Sequence, residues 1–134
     1  FMTGDLFQAL ASTVLAFAPD SQIDPPAFMA GLDAVQQTSG GILHQLFTVR
    51  TRVLDGFLDI EQVPAFVSGL LIGHELQQAE SLLRAGEDVA VIGVDHLSDL
   101  YCRALNYHSI GSTQVGSDVS TCAGIAALRR EMQD

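Results

Sequence analysis

The stretch DVAVIG at residues 88–93 is a short, β-branched apolar run that ends in glycine. Such a run is typical of a buried strand in a parallel sheet. After a turn at 94–95, the pattern predicts a helix over about 96–105, a second strand over 111–116 and a last helix over about 119–132. This β-α-β-α order makes a parallel strand pair with a right-handed crossover the expected arrangement.

The residues before this run show helical periodicity instead. Apolar side chains at spacings of three and four predict helices over about 3–17, 25–38, 42–54 and 60–83. Thr3 is the expected N-cap of the first helix, and Asp59 with Gln62 forms a capping box before the longest helix. We therefore expect a helical part over 1–85 and a β-α-β-α part over 86–134, within a single structural domain.

The composition is that of a folded, acidic domain. The chain has 134 residues, 48% of them hydrophobic, and a net charge of −10 from sixteen acids against six arginines. Such a chain repels phosphate backbones, which argues against nucleic acid as a partner. No apolar run approaches the roughly 20 residues needed to cross a bilayer, and no secretory signal pattern is found. We therefore expect no membrane partner and a cytoplasmic protein.

The cysteines and histidines show no metal-ligand spacing. Cys102 and Cys122 form no CxxC pair, and the four histidines stand at no ligand spacing from them. We therefore expect two reduced, buried thiols and no zinc site.

The pattern also predicts that this chain is part of a larger protein. Two strands do not form a stable open sheet by themselves, and the helical part offers no further strands. The sequence begins FMTG, without a polar leader. We therefore expect the remaining strands to come from sequence upstream of residue 1.

Three stretches together resemble the 2-dehydro-3-deoxygalactonokinase family. FMTGDL at 1–6 is similar to the family's Phe/Val-Met-Thr-Gly-Glu-Leu, and LFTVR at 46–50 is a second shared segment. VSGLLIGHEL at 67–76 is close to the family's Leu-Ser-Gly-Leu-Leu-Ile-Gly-x-Glu, and the tail beyond residue 91 fits more loosely. The order and separations also fit, so the resemblance covers essentially the whole chain.

The resemblance implies a fold and a reaction. The family belongs with the actin-like ATPases, in which two ribonuclease-H-like lobes close over ATP and a sugar. This chain resembles the C-terminal part of the second lobe, an α/β fold that is predominantly helical with two short parallel strands near its C-terminus. The implied reaction transfers the γ-phosphoryl group of ATP to the C6 hydroxyl of 2-dehydro-3-deoxy-D-galactonate. Mg²⁺ would be held mostly by phosphates and upstream acids.

The resemblance places the catalytic groups outside this chain. The phosphate loop of the first lobe, the second phosphate hairpin and the acidic stretch with the catalytic base are all expected upstream of Phe1. No catalytic residue or metal ligand is therefore predicted here, and we expect the isolated chain to be inactive. Its partners are the sugar acid, ATP and the missing N-terminal lobe.

The strand-end glycine loop is the predicted nucleotide contact. In actin-like kinases such a loop lies against adenine and ribose, and here it comprises Gly93, Val94 and Asp95. The alternative is an ordinary strand-to-helix turn in which Asp95 is the N-cap. Gly69 and Gly73, four residues apart in the longest helix, either flank the same pocket or allow close helix packing.

Two further places are candidates for substrate or phosphate contact. Thr3, Gly4 and Asp5 lie at a helix N-terminus, where free amides bind anions, although a simple capped helix explains them as well. Arg50 and Arg52 are suited to a carboxylate or phosphate, but pairing with a local acid such as Asp55 or Asp59 is the alternative.

Two other functions remain open from the sequence. One is a kinase for a related 2-keto-3-deoxy sugar acid, because the substrate-facing lobe is missing. The other is a catalytically silent helical interaction or sensor domain. Whatever the function, a lobe interface left bare by truncation would favour self-association through its apolar surface, and hence a homo-oligomer.

Overall fold

A helical unit and a smaller α/β unit make up the structure. The computed structural model describes residues 2–15, 17–18, 23–37, 40–82 and 86–132. The helical unit covers residues 1–81 and the α/β unit covers residues 82–134, so the boundary lies close to the predicted change at residue 86. The elements are α1 (Thr3–Ala9), α2 (Pro25–Gln37), α3 (Ile42–Leu54), α4 (Val63–Ala79), β1 (Val89–Gly93), α5 (Asp95–Tyr107), β2 (Ser112–Gly116) and α6 (Ser117–Glu131). Across the described ranges, no helix combines the length and the apolar character needed to cross a membrane.

Helix α4 forms the core of the helical unit because it is apolar on almost every side. Residues 63–74 and Leu76 are all buried. A helix that is hydrophobic all round is stable only when other elements surround it. The predicted capping box is confirmed just before it, where the Asp59 amide donates to Oε1 of Gln62 at 3.2 Å. The helix ends at Ala79, a few residues earlier than predicted.

Two glycines let α2 lie directly against α4. A Cβ atom at Gly69 would come within 2.2 Å of the Phe28 carbonyl oxygen. A Cβ atom at Gly31 would come within 2.3 Å of the Phe66 carbonyl oxygen. The two backbones therefore meet with no side chain between them at this crossing. Each glycine costs its helix about 0.5–1 kcal/mol relative to alanine, and the close packing offsets that cost.

The start of the first helix differs from its prediction. Met2 occupies the N-cap position, and no side chain caps the helix there. The Thr3 hydroxyl instead donates to the carboxylate of Glu75 on α4. The predicted N-cap role of Thr3 is therefore wrong, because a partner on another helix takes the hydroxyl that a cap would use.

The end of the first helix also differs from its prediction. The α-helix stops at Ala9, and a π-helical turn covers Leu10–Val14 instead of a regular helix that continues to residue 17. The hydroxyls of Ser12 and Thr13 both donate to the Ala9 carbonyl oxygen. Hydroxyls that bond back to this carbonyl compete with the amides of the α-helical ladder, which explains the change of pitch.

The α/β unit is built on two parallel strands, as predicted. β1 and β2 pair in register from Val89 with Ser112 to Gly93 with Gly116. Helix α5 connects the strands and packs on both of them. Its buried residues are Ser98, Leu100, Ala104 and Leu105. The unit therefore has the expected β-α-β-α order, with helices that begin one or two residues earlier than predicted.

Much of the apolar surface of this unit is exposed. Ile92 on β1 is 60% exposed, and α6 buries no residue although it carries Ile125 and Leu128. Parallel sheets are ordinarily covered on both faces. The prediction of two buried thiols is wrong for the same reason: Cys122 on α6 is exposed and Cys102 on α5 is only partly covered.

Candidate functional site

The carboxyl ends of β1 and β2 lie side by side and lead directly into two helices. Gly93 and Gly116 are paired at the last position of the register, and α5 and α6 start at Asp95 and Ser117. Neighbouring strands lie about 4.8 Å apart, so the two helix N-termini are close neighbours. In open α/β sheets, ligands bind at this end of parallel strands. We call residues 93–95 and 116–118 the strand-end site.

Both helices begin with backbone donors that no side chain caps. The N-cap residues Val94 and Gly116 are extended, and neither provides a side-chain hydrogen bond to the helix. In α5 the Val94 carbonyl oxygen accepts from the amides of Leu97 and Ser98, at 3.1 and 2.9 Å. The amides that precede them in the first turn are therefore available to a ligand, and such amides attract electron-rich groups.

Two carboxylates, Asp95 and Asp118, border this pair of helix N-termini. Both are exposed, and each follows a strand-end glycine by two residues. A carboxylate accepts hydrogen bonds from hydroxyl groups and repels phosphate. The strand-end site is therefore suited to a ligand that presents hydroxyls, such as a ribose, and is a poor place for a phosphate chain.

Gly93 leaves room for a buried serine below the first loop. A Cβ atom at Gly93 would lie 3.0 Å from Oγ of Ser98, a residue that is 2% exposed. Within the described ranges, this hydroxyl has no hydrogen-bond partner. Beside it, the side-chain amide of Gln114 donates to the Asp95 carbonyl oxygen at 3.4 Å. This bond connects β2 to the start of α5 and so holds the loop against the second strand.

The structure brings the predicted residues Gly93, Val94 and Asp95 together at this loop. Their contact with adenine stays a prediction. The alternative interpretation of Asp95 as the N-cap is wrong, because Val94 occupies that position. The second loop, at residues 116–118, was not part of the predicted site. The signal that could have found it is the pattern Gly-x-Asp, which occurs at both strand ends.

Gly69 and Gly73 serve helix packing in the structure. The face of Gly69 is filled by the α2 backbone, and a Cβ atom at Gly73 would lie 3.0 Å from Cγ2 of Val35 on α2. Since α2 occupies the space that a ligand would need, the packing alternative accounts for both glycines. We therefore leave them out of the proposed nucleotide contacts.

The predicted anion contacts at Thr3, Gly4 and Asp5 remain a prediction. The Thr3 hydroxyl is engaged with Glu75, while Gly4 and Asp5 are exposed on a helix of seven residues. So short a helix gives its N-terminus little dipole, which weakens the case for an anion site there.

Arg50 lies on the exposed side of α3, at the edge of a shallow cavity. The cavity holds about 280 Å³ and is otherwise apolar, with Leu15, Val49, Val53, Leu54, Ile60 and Val63 as its lining. In the described part of the chain, Arg50 forms no ion pair with Asp55 or Asp59, so the expected local pairing is absent. Arg52 is also unpaired with these acids and lies over the ring of Phe66 at 5.2 Å.

A buried polar pair joins three helices of the helical unit. Nε2 of His74 on α4 and Oε1 of Gln45 on α3 are 2.9 Å apart, and the Gln45 amide nitrogen donates to the carbonyl oxygens of Ala34 and Gly40 at 3.2 Å each. Because the amide nitrogen donates, Oε1 is the acceptor and His74 carries its proton on Nε2. Burial lowers the pKa of His74 below its ordinary value of 6.5, so the ring is neutral at pH 7. No group of three His, Cys, Asp or Glu side chains among the described residues is placed to hold a metal ion.

The chain matches known proteins along nearly all of its length. A family model described as 2-keto-3-deoxy-galactonokinase matches residues 1–128. The 2-dehydro-3-deoxygalactonokinase of Escherichia coli is 33% identical over 129 residues, which are 95% of this chain and 44% of that protein. A Rhizobium meliloti protein assigned the same activity is 31% identical over 138 residues, again with 44% of its length matched.

A solved structure supports the same relationship. The crystal structure of a Sinorhizobium meliloti protein, assigned as a 2-dehydro-3-deoxygalactonokinase, superposes with a TM-score of 0.82 and 28% sequence identity. The match covers 98% of this chain and 46% of that one. This chain thus spans less than half the length of the relatives that it matches. Its sequence and its fold place it in the 2-keto-3-deoxy-galactonokinase family.

Proposed function

We propose that this chain is the C-terminal, nucleotide-facing part of an ATP-dependent kinase that phosphorylates 2-dehydro-3-deoxy-D-galactonate on its C6 hydroxyl. The strand-end site is the observation that carries the proposal, since it gives a member of this family a place for a nucleoside. The names of the relatives supply the sugar acid, and a kinase of this kind takes its phosphoryl group from ATP. We further propose that the complete protein has two actin-like ATPase lobes and is cytoplasmic.

In this proposal the strand-end site holds the adenosine part of ATP. Asp95 and Asp118 accept hydrogen bonds from the ribose hydroxyls, and the backbone at Gly93 and Val94 lies along the base. The same carboxylates repel the phosphates, so the phosphate chain extends away from this acidic rim. The residues described here therefore contribute binding and orientation of the nucleotide, and they contribute no group to the chemical step.

The reaction itself is an in-line transfer. The C6 hydroxyl oxygen bonds to the γ-phosphorus of ATP, the bond to the β-γ bridging oxygen breaks, and ADP leaves. A carboxylate general base takes the hydroxyl proton. Mg²⁺, when bound with ATP, would offset the charge on the phosphates. We assign the base and the metal ligands to the part of the longer relatives that this chain does not span. Closure of two lobes would exclude water, which competes with the sugar hydroxyl.

Nucleotide binding tests the site. In the complete protein of which this chain is proposed to be part, Asp95→Ala removes the acceptor and should weaken the binding of ADP about tenfold or more, because a hydrogen bond to a charged group is worth about 1.5–3 kcal/mol. The matched control is Asp99→Ala on the same helix, where the carboxylate pairs with Arg103 at 2.7 Å on the exposed surface. If calorimetry finds equal losses in both variants, or none in Asp95→Ala, the nucleotide lies elsewhere.

A phosphorylation assay separates the proposed function from its alternatives. The complete protein should convert 2-dehydro-3-deoxy-D-galactonate to its 6-phosphate faster than other 2-keto-3-deoxy sugar acids, and the 134-residue chain alone should convert none. A faster reaction with another acid would identify a related kinase. No reaction with any acid, together with no nucleotide binding, would favour the silent interaction domain.

A further inference from the structure

Helix α3 has a second apolar face that no described residue covers. Its inner face is buried through Gln45, Leu46 and Val49. Its outer face consists of Leu43, Phe47, Arg50 and Leu54, and we call this set the α3 stripe. The three apolar members are 83%, 72% and 75% exposed in chain order. Exposed large side chains in one contiguous row mark an interaction surface more often than isolated ones do.

The spacing of the stripe is symmetric along the helix. Its members follow one another at four, three and four residues, which is the spacing of a helix-pairing seam. We propose that two copies of this chain pair through this stripe, with their α3 helices antiparallel about a two-fold axis. A two-fold axis between residues 48 and 49 brings Leu43 of each copy against Leu54 of the other, and Phe47 against Arg50. A two-fold contact requires such a self-complementary surface.

The pairing is chemically favourable at each position. Leucine meets leucine, and the guanidinium of Arg50 lies over the ring of Phe47 of the second copy, which is a cation–π contact. The chain already uses this contact internally, where Arg52 lies over Phe66 at 5.2 Å. Arg50 is free for it, because no ion pair engages this arginine within the described ranges.

Charge selects the antiparallel arrangement. Helix α3 contains two arginines and no acid, its first turn has no carboxylate, and its N-cap Gly41 gives no side-chain cap. Asp55 follows directly at its C-terminal end. Antiparallel pairing brings Asp55 of each copy beside the N-terminus of the other α3, where a negative charge is stabilising. Parallel pairing would instead place Arg50 beside Arg50.

The surface next to the stripe has the shape to receive a partner side chain. The cavity of about 280 Å³ lies along the C-terminal half of α3, with Arg50, Val53 and Leu54 as one wall and Ile60 on the other side. In the antiparallel pair, this cavity faces Leu43 and Phe47 of the second copy. Phe57 and Ile60, which are 79% and 51% exposed, extend the contact at its edge.

The size of the contact predicts a concentration-dependent dimer. An aromatic side chain buries about 150–250 Å² and a stable interface needs about 800 Å² from each partner, so the stripe with Phe57 and Ile60 lies at the small end. Sedimentation of the 134-residue chain across a concentration series should therefore show a monomer–dimer equilibrium. This inference does not depend on the proposed kinase activity.

Two charge substitutions locate the contact. Phe47→Lys places a like charge against Arg50 of the second copy and should raise the dimer dissociation constant at least about tenfold, as expected when an aromatic residue is lost from the centre of an interface. Leu128→Lys on α6, where the leucine is 62% exposed, is the matched control and should leave the constant unchanged. Far-UV circular dichroism confirms that each variant is folded.

Cross-linking tests the antiparallel register. With Cys102→Ser and Cys122→Ser in place, the double variant Leu43→Cys/Leu54→Cys should form a disulfide-linked dimer on mild oxidation. Neither single variant should do so, because identical positions lie about 16 Å apart along the paired helices. The proposal is overturned if the chain is monomeric at all concentrations. It is also overturned if Leu128→Lys rather than Phe47→Lys abolishes the dimer, or if the single variants cross-link as readily as the double variant.

Discussion

Replacing Gly69 with alanine should force α2 and α4 apart. The new methyl group would lie 2.2 Å from the Phe28 carbonyl oxygen and 3.0 Å from Cα of Gly31, and both are backbone atoms that cannot rotate away. Ordinary contact begins at 3.4 Å, so the helices must separate by roughly 1 Å in a core that is packed like a crystal. Such overpacking costs about 1–3 kcal/mol, and the gain from removing a helix glycine returns about 0.5–1 kcal/mol. The expected net loss of stability is about 1–2 kcal/mol.

Chemical unfolding measures this loss, and two other glycines of the same unit serve as controls. The midpoint of urea unfolding, followed by far-UV circular dichroism, should fall for Gly69→Ala. Gly4→Ala places its methyl group in open space and should be neutral or slightly stabilising. The midpoint for Gly73→Ala should lie between those of the other two variants. The nearest neighbour of its new methyl group, Cγ2 of Val35 at 3.0 Å, belongs to a side chain that can adjust. If Gly69→Ala proves as stable as Gly4→Ala, the direct backbone contact between α2 and α4 is refuted.

Two further predictions concern buried polar groups. Burial lowers the pKa of His74 below 6.5, so the unfolded chain binds a proton at a higher pH than the folded chain does. Stability should therefore decline as the pH falls through about 6.5. The urea midpoint should drop more between about pH 7.5 and pH 5.5 in the wild type than in His74→Gln, and equal drops would contradict this. Ser98→Ala removes a buried hydroxyl that has no hydrogen-bond partner among the described residues, so it should stabilise the α/β unit by up to about 1–3 kcal/mol. A lower melting temperature would show instead that this hydroxyl has a hydrogen-bond partner.

The sequence predicted the α/β unit well because its signals are local. The apolar run at 88–93, its terminal glycine and the short strand at 112–116 are patterns within a few neighbouring residues. The capping box of Asp59 and Gln62 was found for the same reason. Such signals depend on backbone geometry near the residue itself and leave few alternatives.

Several predictions failed or stayed open because the deciding partner is distant in the sequence. Thr3 was predicted to be an N-cap, but its hydroxyl donates a hydrogen bond to Glu75 on another helix. Gly69 looked like either a pocket wall or a packing contact, and only the position of α2 decided between them. Arg50 and Arg52 had acids nearby in the chain, yet the helix directed one arginine to the exposed face and the other over Phe66. Spacing along the chain does not fix these pairings, because they depend on how the helices cross.

Of the two loops that form the strand-end site, only the first was predicted, because the place of the second depends on strand pairing. The loop at 93–95 follows an unmistakable strand, so its position could be inferred. The loop at 116–118 follows a strand with fewer apolar residues, STQVG, and its place beside the first loop depends on the register of β1 and β2. Only the pairing of Gly93 with Gly116 shows that two helix N-termini share one end of the sheet.

The uneven burial of the two units has a consequence for how the strand-end site responds to its ligand. Helix α4 is covered on nearly every side, whereas α6 buries no residue. Amide hydrogens of β2 and α6 should therefore exchange with solvent through local openings of low free energy, and much faster than those of α4. A ligand that binds only the closed strand ends shifts this local equilibrium by mass action. Ligand binding at the strand-end site should therefore be thermodynamically coupled to the ordering of β2 and α6.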